Sequence, residues 1–468
     1  MLKLQIKYLS FFFGIVSILS FFNILYSYYF NLYLNLDTYY FTLLTSFIVF
    51  IIFFKFGKYN FKSNIFQKIL TIFLGYILIP LTLSIPFYLS IYNLTFSNSF
   101  FEAISGFTST GFTVFENIKL IDQSLILWRS SIQWIGGLYF LFSIIYLIDI
   151  YDDSFKKTLT NFISFNSSEI LKQATKIFIL YSSLTILIFL LLNFFSIRTF
   201  DSLNLAFTII SSGGFLPVND ISLIIRENSQ IIIFSILMLF SFFSLFFTYN
   251  LIFLRKKNIN FFYEDFHLTI YLIIVLTIFL LFFSFKNDFL INLFSIVSSM
   301  SNIGFSLDAG KPNLNFIFLI LVIIGGSFFS TSSGLRFIKV YSLFKFSLNQ
   351  ILSFSRPKNV FMNKLIFTKI NFNLDEINKY FLTIIVFIIS LIILSILLSL
   401  SGVNFINSFK LSILTLMNTV NSSIYGLETF DFNNLQIFAK YSLIFFMIVG
   451  RIELLTILLL IKNFLFKN

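Results

Sequence analysis

The sequence predicts an all-α membrane protein in which four copies of one re-entrant unit surround a central pore. Mean hydropathy is +0.93 and only 11% of residues are charged, which excludes an ordinary soluble domain. Several apolar runs reach the about 20 helical residues that cross a bilayer. Between these runs stand short polar segments that end in Gly-Phe. Non-helical backbone is tolerated at membrane depth only where protein buries it or where it lines a watery cavity.

Ten membrane-spanning helices are predicted from the apolar runs. They cover roughly 9–30, 39–56, 69–92, 125–149, 175–197, 229–254, 267–285, 315–345, 379–401 and 436–462. The last eight form pairs, and each pair encloses a half-length segment, about 97–110, 200–213, 287–303 or 405–421. These segments are too short to cross the bilayer and too apolar for simple loops, so re-entrant helices are expected. Cap-forming residues at their starts, such as Asn98-Ser99 and Asp201-Ser202, fit helices that enter from water.

The chain therefore divides into an N-terminal pair of extra helices and four pore repeats. The extra helices occupy 1–60, and the repeats occupy 61–155, 156–258, 259–350 and 351–468, with an interrupted gating helix in the third. The Gly-Phe glycines at 111, 214 and 304 give a repeat of about a hundred residues.

The net charge of +12 does not indicate a nucleic-acid partner. Lys and Arg concentrate in alternate connecting segments and near both ends, whereas the other segments hold mainly acids: Glu116, Asp122, Asp220, Glu227, Asp308, Glu428 and Asp431. This positive-inside pattern predicts a multi-pass protein of the lipid bilayer with both termini in the cytoplasm. The absence of Cys and the single His267, interpreted as interfacial, leave little for a thiolate or histidine metal site.

The polar segments are predicted to form a cation filter. Its predicted residues are Thr108, Ser109, Thr110 and Gly111, then Ser211, Ser212, Gly213 and Gly214, then Ser301, Asn302, Ile303 and Gly304, and finally Asn421, Ser422, Ser423 and Ile424. Uncharged oxygens suit a desolvated monovalent cation, since they replace hydration water without trapping the ion. Glycine lets an extended loop aim its carbonyl at the axis. Each half-helix directs its partially negative end toward the centre. In the fourth loop Ile424 takes the place of the glycine, unless a shifted register brings in Gly426.

Two other readings compete with a pore. Gly and Ser are common in membrane helices, where they permit close packing, but three motifs in register, each following a half-length segment, favour the pore. A membrane-embedded enzyme would need acids or histidines at membrane depth. Apart from Glu453 and Glu102, the predicted spans hold almost none, so an enzyme is disfavoured.

A gate is predicted next to the filter. The span from Phe316 to Lys345 is interrupted by a segment rich in Gly and Ser, which indicates a broken helix rather than a kinked, continuous one. Arg451 lies deep in the last span, where an arginine costs several kcal/mol unless it faces a partner or water; the alternative is that it extends to the inner surface. The predicted gate residues are Gly325, Gly326, Ser327, Gly334 and Arg451.

The sequence resembles the membrane subunit of Trk-type potassium uptake systems, in the Trk/Ktr/HKT superfamily. The resemblance rests on the segment from Leu127 to Gly137, the three Gly-Phe loops, Gly325 to Gly334, and Gly450-Arg451-Ile452-Glu453. The two extra N-terminal helices are similar to the Trk branch.

The resemblance implies potassium uptake across the bacterial inner membrane, with potassium bound at the filter residues and no organic cofactor. It also implies that the interrupted span is a gating loop, that Arg451 forms a constriction, and that a homodimer docks on a cytoplasmic nucleotide-binding regulatory subunit. The family has a glycine where this chain is predicted to have Ile424. A weakly selective potassium/sodium conductor, or a sodium-coupled transporter, is therefore the alternative function. Whether flux is passive or coupled to protons stays open.

Overall fold

A computed structural model describes residues 6–57, 64–147, 170–253, 263–283, 289–307, 314–354, 374–427, 430–452, 456 and 462. The regular secondary structure in these residues is helical, apart from an isolated bridge between Ile324 and Leu335. Asp308, Glu428 and Glu453, which the sequence analysis named, lie outside the described residues. Six of the described helices are long and apolar enough to cross a membrane. The fold class is that of an all-α membrane protein, as predicted.

The two N-terminal helices form a hairpin against the first repeat. They are α1 (Ile6–Tyr29) and α2 (Leu36–Phe56). Helix α1 packs its aromatic face on the first repeat, where the ring of Phe12 lies 4.7 Å from that of Tyr139. Asn23 adds a polar contact, because its Nδ2 donates to the Ser124 carbonyl at 3.1 Å. Most of α2 is exposed in the isolated chain, as expected of a lipid-facing helix.

The remaining helices are grouped by the predicted repeat in which their residues fall. The first repeat holds α3 (Ile65–Leu83), α4 (Ile85–Tyr88), α5 (Phe96–Phe107) and α6 (Gln123–Tyr146). The second holds α7 (Ile170–Phe194), α8 (Thr199–Ile210), α9 (Asn228–Phe242) and α10 (Leu245–Ile252). The third holds α11 (Tyr263–Phe283), α12 (Phe289–Met300), α13 (Asn315–Ile323) and α14 (Phe337–Ser353). The fourth holds α15 (Leu374–Leu400), α16 (Phe405–Leu416) and α17 (Ile437–Ile452).

The half-length helices are present where the sequence predicts them. Helices α5, α8, α12 and α16 have 12 residues each. At a rise of about 1.5 Å per residue such a helix is about 18 Å long, far less than the about 30 Å of a hydrocarbon core. Helix α6 packs against neighbouring half-helices and is buried from Ser124 to Tyr146, so it forms part of the protein core.

Two of the predicted spans are broken by extended backbone, whereas Ser84 between α3 and α4 keeps right-handed helical angles. The span at 315–345 separates into α13 and α14, as expected. The span at 229–254 also breaks, at Phe243 and Ser244, and this break was not predicted. Ser244 caps α10 through its hydroxyl, and buried Asp265 accepts from both the backbone N–H (2.9 Å) and the hydroxyl (2.6 Å) of Ser244. The carboxylate of α11 thus satisfies the polar groups that the break exposes.

Candidate ion filter and gate

All four half-helices end in the same hydrogen-bonded turn. The second residue after each helix has a left-handed backbone: Ser109 (φ 59°), Ser212 (54°), Asn302 (59°) and Asn418 (46°). The next backbone N–H returns to a carbonyl five residues earlier: Thr110 to Ser105 (2.9 Å), Gly213 to Thr208 (2.8 Å), Ile303 to Ser298 (3.1 Å) and Thr419 to Leu414 (2.9 Å). This closure is a common way to end a helix. Its fourfold repetition aligns the loops residue by residue.

The alignment corrects the predicted register of the fourth loop. The residue after the turn is Gly111, Gly214 or Gly304 in the first three repeats and Val420 in the fourth. The prediction that Ile424 takes the glycine's place is therefore wrong. Ile424 lies in a short 3-10 turn (Ser423–Tyr425), and Gly426 (φ 68°) ends that turn, so the alternative register fails too. The position where α16 ends sets the register. The prediction relied on polar residue types alone and began the fourth loop at Asn421, although the polar run already begins three residues earlier, at Asn418.

The three glycines are required for two different reasons. Gly111 (φ 83°) and Gly304 (φ 85°) have backbone angles that side chains rarely tolerate. Gly214 lacks this constraint but has no room, because an added β-carbon would collide with the Cβ of Val420 and lie 3.1 Å from the Cα of Gly111. The loops therefore meet closely at this level.

Side-chain hydrogen bonds join neighbouring loops into a closed ring. Ser212 Oγ donates to the Ser301 carbonyl at 2.6 Å, which joins loops two and three. Asn302 Nδ2 donates to Thr419 Oγ1 at 3.3 Å, which joins loops three and four. Asn418 Nδ2 donates to Thr110 Oγ1 at 3.0 Å, which joins loops four and one. The repeats thus follow one another around the ring in chain order, and loops two and four face each other.

Arg451 completes the ring between loops one and two. Its Nη2 lies 3.3 Å from Ser109 Oγ and 3.4 Å from the Ser211 carbonyl oxygen. The side chain is 1% exposed, and its guanidinium carbon lies 4.2 Å from the centre of the Phe140 ring. Arg451 therefore faces the filter turns and does not extend to the surface.

The interrupted span forms a folded loop, which we call the gate loop (Ile324–Leu335). Its neck is closed by backbone bonds from Gly325 to Leu335 (2.9 Å) and from Leu335 to Ile323 (3.0 Å). Three further backbone bonds join it to the break in the second repeat: Ser327 to Phe242, Ser332 to Ser241, and Leu245 to Phe329, each at 3.0 Å. Thr331 Oγ1 donates at 2.7 Å to the carbonyl of Ile210, the last residue of α8. The loop is thus held against the end of a half-helix.

The gate loop also contacts Arg451 and the fourth filter loop. Arg451 Nη1 donates to Ser333 Oγ, and Ser333 Oγ lies 3.3 Å from Asn418 Oδ1. Because Asn418 bonds to Thr110, a chain of hydrogen bonds runs from Arg451 through the gate loop to the first filter turn.

Arg336, which the sequence analysis missed, holds the gate loop in shape. Its Nη1 donates to the carbonyls of Ser332 (2.9 Å) and Ser327 (3.2 Å), and the side chain is buried. On the other side of the loop, Glu264 accepts from the Phe328 N–H at 2.8 Å. The sequence did contain a signal for this contact: the charged Arg336 directly follows the Gly- and Ser-rich segment, and two adjacent acids, Glu264 and Asp265, stand at the start of α11.

A buried ion pair, also missed as such, supports the first two filter loops. Arg129 Nε lies 2.9 Å from Glu102 Oε1, and both side chains are buried. Glu102 Oε2 accepts from the Val114 N–H at 2.9 Å. The Arg129 guanidinium lies 4.2 Å from the centre of the Phe215 ring. The pair therefore connects the segments that follow the first two filter glycines.

A cavity of about 340 Å³ opens on one side of the ring. Its wall includes Gly111, Gly214, Gly304 and Val420, and its lining also includes the acids Glu116, Asp220 and Asp431. Acids around a concave mouth raise the local concentration of cations. The cavity is therefore suited to supply a cation to the ring.

Fold and site together define a class of protein: a polytopic membrane protein whose four half-helices converge on a ring of loops beneath a cavity. No protein-family model matches the chain. It is 26% identical over 401 residues to an uncharacterized cation transporter of Methanocaldococcus jannaschii, covering 82% of this chain and 80% of the relative. It is 25% identical over 388 residues to the Trk system potassium uptake protein TrkH of Escherichia coli, with 79% of each covered.

Similarity extends further along two other proteins. The chain is 23% identical over 462 residues to the Trk system potassium uptake protein TrkG of Escherichia coli, covering 91% of this chain and 92% of the relative. The crystal structure of the potassium transporter TrkH from Vibrio parahaemolyticus has the same fold, with a TM-score of 0.84, 19% identity and 99% of both chains covered. The chain is thus similar in sequence to Trk system potassium uptake proteins and similar in fold to TrkH.

Proposed function

We propose that this protein carries potassium ions across the inner (plasma) membrane of a bacterium, as an uptake pathway and not as an enzyme. The main observation that supports the proposal is the hydrogen-bonded ring of four loops. Each loop lies at the end of a half-helix, and the ring lies beneath a cavity with acidic residues. The names of relatives similar over most of the chain supply the ion, because TrkH and TrkG are potassium uptake proteins.

In this proposal the filter consists of the loop residues that follow each half-helix. They are Thr108–Gly111, Ser211–Gly214, Ser301–Gly304 and, with the corrected register, Met417–Val420. Loop carbonyls and hydroxyls replace the hydration water of the ion. The half-helices contribute the partially negative ends of their dipoles, which favours a cation between them.

The gate of this pathway is the gate loop together with Arg451. Arg451 places a buried positive charge against the filter turns, and Ser333 connects it to the gate loop. Two unit charges about 4 Å apart repel by about 4 kcal/mol at an effective dielectric constant of about 20. A cation that leaves the filter therefore meets a barrier, which the gate loop sets by holding or releasing the arginine.

The topology and partners belong to the same proposal. The cavity faces outward, and both termini lie in the cytoplasm, since the basic segments fall on that side. The chain forms a homodimer, and a cytoplasmic nucleotide-binding subunit acts on the gate loop from the inside.

Potassium uptake in a bacterial strain that lacks its own potassium transporters tests the proposal. Wild-type protein should restore growth at low potassium, and excess sodium should not abolish uptake. Gly111→Ala should reduce uptake or selectivity, because the alanine is strained and collides with Gly214. Gly14→Ala in α1 is the matched control, since its β-carbon would make ordinary contact at 3.4 Å with Phe50.

The amount of each variant in the isolated membrane fraction is measured alongside, and its folded state is checked by gel filtration after detergent solubilisation. A correctly inserted wild-type protein that restores neither growth nor uptake overturns the proposal. Uptake that requires sodium, or carries sodium equally well, supports the second candidate, a weakly selective or sodium-coupled transporter.

A further inference from the structure

We infer that Val420 is an apolar constriction across the filter, which limits both the rate of cation passage and the size of the cation that passes. The inference rests on the proposed function for its transport readout, but it concerns a residue that distinguishes the fourth loop from the other three. Where those loops have glycine, the fourth has an isopropyl group.

The contacts of Val420 place its side chain between facing parts of the ring. A β-carbon added to Gly214 would collide with the Cβ of Val420 and lie 2.9 Å from its Cγ2. A β-carbon added to Gly304 would lie 3.0 Å from Cγ1 of Val420. Carbon atoms pack optimally at about 3.5–4.0 Å, so the two methyl groups fill the space that these glycines leave free.

One of these contacts crosses the ring. The hydrogen bonds between neighbouring loops run from two to three, three to four and four to one, so loops two and four are opposite each other. Gly214 belongs to loop two and Val420 to loop four. Their contact therefore spans the opening through which an ion would move. Val420 also lines the outer cavity, so its side chain is not merely behind the ring.

The chemistry of the methyl groups gives the consequence. Val420 keeps a backbone carbonyl, but its methyl groups cannot replace hydration water, so part of the opening at this level is lined by groups that do not bind a cation. For the ion to pass, the Val420 side chain also has to move aside or change its rotamer. Both effects slow passage, and the narrowed opening acts most strongly on the largest alkali cations.

A size series at position 420 tests the inference. Val420→Ala and Val420→Gly should raise potassium uptake progressively, by about tenfold for each 1.36 kcal/mol removed from the barrier, and should increase caesium uptake relative to potassium. Val420→Ile should reduce uptake. Val420→Thr keeps the shape and replaces a methyl with a hydroxyl, so it should lower the KM for potassium with a smaller change in maximal rate. Val386→Ala, at a half-buried site in α15, is the matched control.

A second measurement separates this inference from the proposed function. Cations that bind the filter stabilise the folded state, so the thermal stability of the purified full-length protein is measured in sodium, potassium, rubidium and caesium chloride. The cation profile should shift toward caesium in Val420→Ala and Val420→Gly but not in Val386→Ala. If the profile shifts while wild-type protein carries no potassium, the constriction stands and the proposed function fails. If wild-type protein carries potassium, and substitutions at residue 420 change neither the uptake of the different cations nor the thermal stability in their presence, Val420 does not constrict the filter and the inference is overturned.

Discussion

Arg451 closes the filter ring through Ser109: its guanidinium lies 3.3 Å from the serine hydroxyl, at the junction where loop one meets loop two. The other three junctions are bridged by residues of the loops themselves. One side of the ring thus depends on a residue from α17, and that residue also contacts the gate loop. We therefore expect a change in the gate loop to reach the ring of loops through Arg451.

Replacement of Arg451 by alanine should raise potassium flux, because a buried positive charge leaves the path. An increase of about tenfold corresponds to about 1.4 kcal/mol of barrier. Potassium selectivity should fall at the same time, since the junction between Ser109 and Ser211 loses its bridge. Uptake and sodium competition in the complemented strain measure both effects. Arg451→Lys keeps the charge and should retain the low flux. An inserted Arg451→Ala protein with wild-type flux and selectivity would make this arginine a structural anchor.

Arg336 should control the shape of the gate loop. It donates to two loop carbonyls, and hydrogen bonds to charged groups contribute about 1.5–3 kcal/mol each. Its guanidinium lies 5.0 Å from the Phe140 ring that Arg451 also contacts. Arg336→Gln should therefore loosen the loop, lower thermal stability and increase leak in the absence of any regulatory subunit. Arg226→Gln, on an exposed segment, is the control. Unchanged stability and leak in Arg336→Gln would show that the backbone bonds alone hold the loop.

The sequence predicts the half-helices and the gate loop well, and the residues between them less well. A span interrupted by glycines and serines has to break, and an apolar segment of about 12 residues cannot cross a bilayer. These signals are local. The break at Phe243 and Ser244 has no such signal, because no glycine or proline marks it and the stabilising carboxylate comes from Asp265, more than twenty residues later.

The register of the fourth loop illustrates the same limit. Polar residue types alone allowed Asn421 and Ser422 to match the other loops, but the left-handed turn at Asn418 and its bond pattern fix the alignment at Val420. Backbone conformation decides this position, and a single sequence does not display it. The role of Arg336 was hidden in a similar way, because two of its partners are the carbonyl groups of Ser327 and Ser332, and a carbonyl is the same in every residue.

The Glu102–Arg129 pair should be essential for the fold beneath the first two loops. Removal of one partner leaves an uncompensated buried charge and costs about 3–5 kcal/mol. Arg129→Met alone should therefore lower thermal stability markedly. The double variant Glu102→Met/Arg129→Met should be less destabilised than the sum of the single changes, which a double-mutant cycle measures. Additive losses would mean that the two side chains act independently.

The acidic residues that line the cavity, Glu116, Asp220 and Asp431, should increase uptake at low potassium concentration. Glu116 is exposed and lines the cavity, so Glu116→Gln should raise the KM for potassium at low ionic strength. The difference should disappear at high salt, where the Debye length falls to about 3 Å at 1 M. Asp37→Asn, at an exposed site in α2, removes a charge that is not part of the cavity lining and serves as the control. An effect of Glu116→Gln that persists at high salt would indicate direct coordination instead of attraction at a distance.

Asn418 should transmit changes in the gate loop to the filter. Its Oδ1 lies 3.3 Å from Ser333 Oγ, its Nδ2 donates to Thr110 Oγ1, and its backbone is left-handed (φ 46°). Asn418→Gly accepts this backbone but removes both of these contacts, together with the bond from Nδ2 to the Met447 carbonyl at 2.9 Å, whereas Asn418→Ala adds strain to the same loss. If the contacts matter, both variants should show reduced selectivity and a weaker response to Arg451→Ala or Ser333→Ala in double-mutant cycles. If only Asn418→Ala is impaired, the asparagine is present for its backbone conformation, and the gate loop reaches the filter through Arg451 alone.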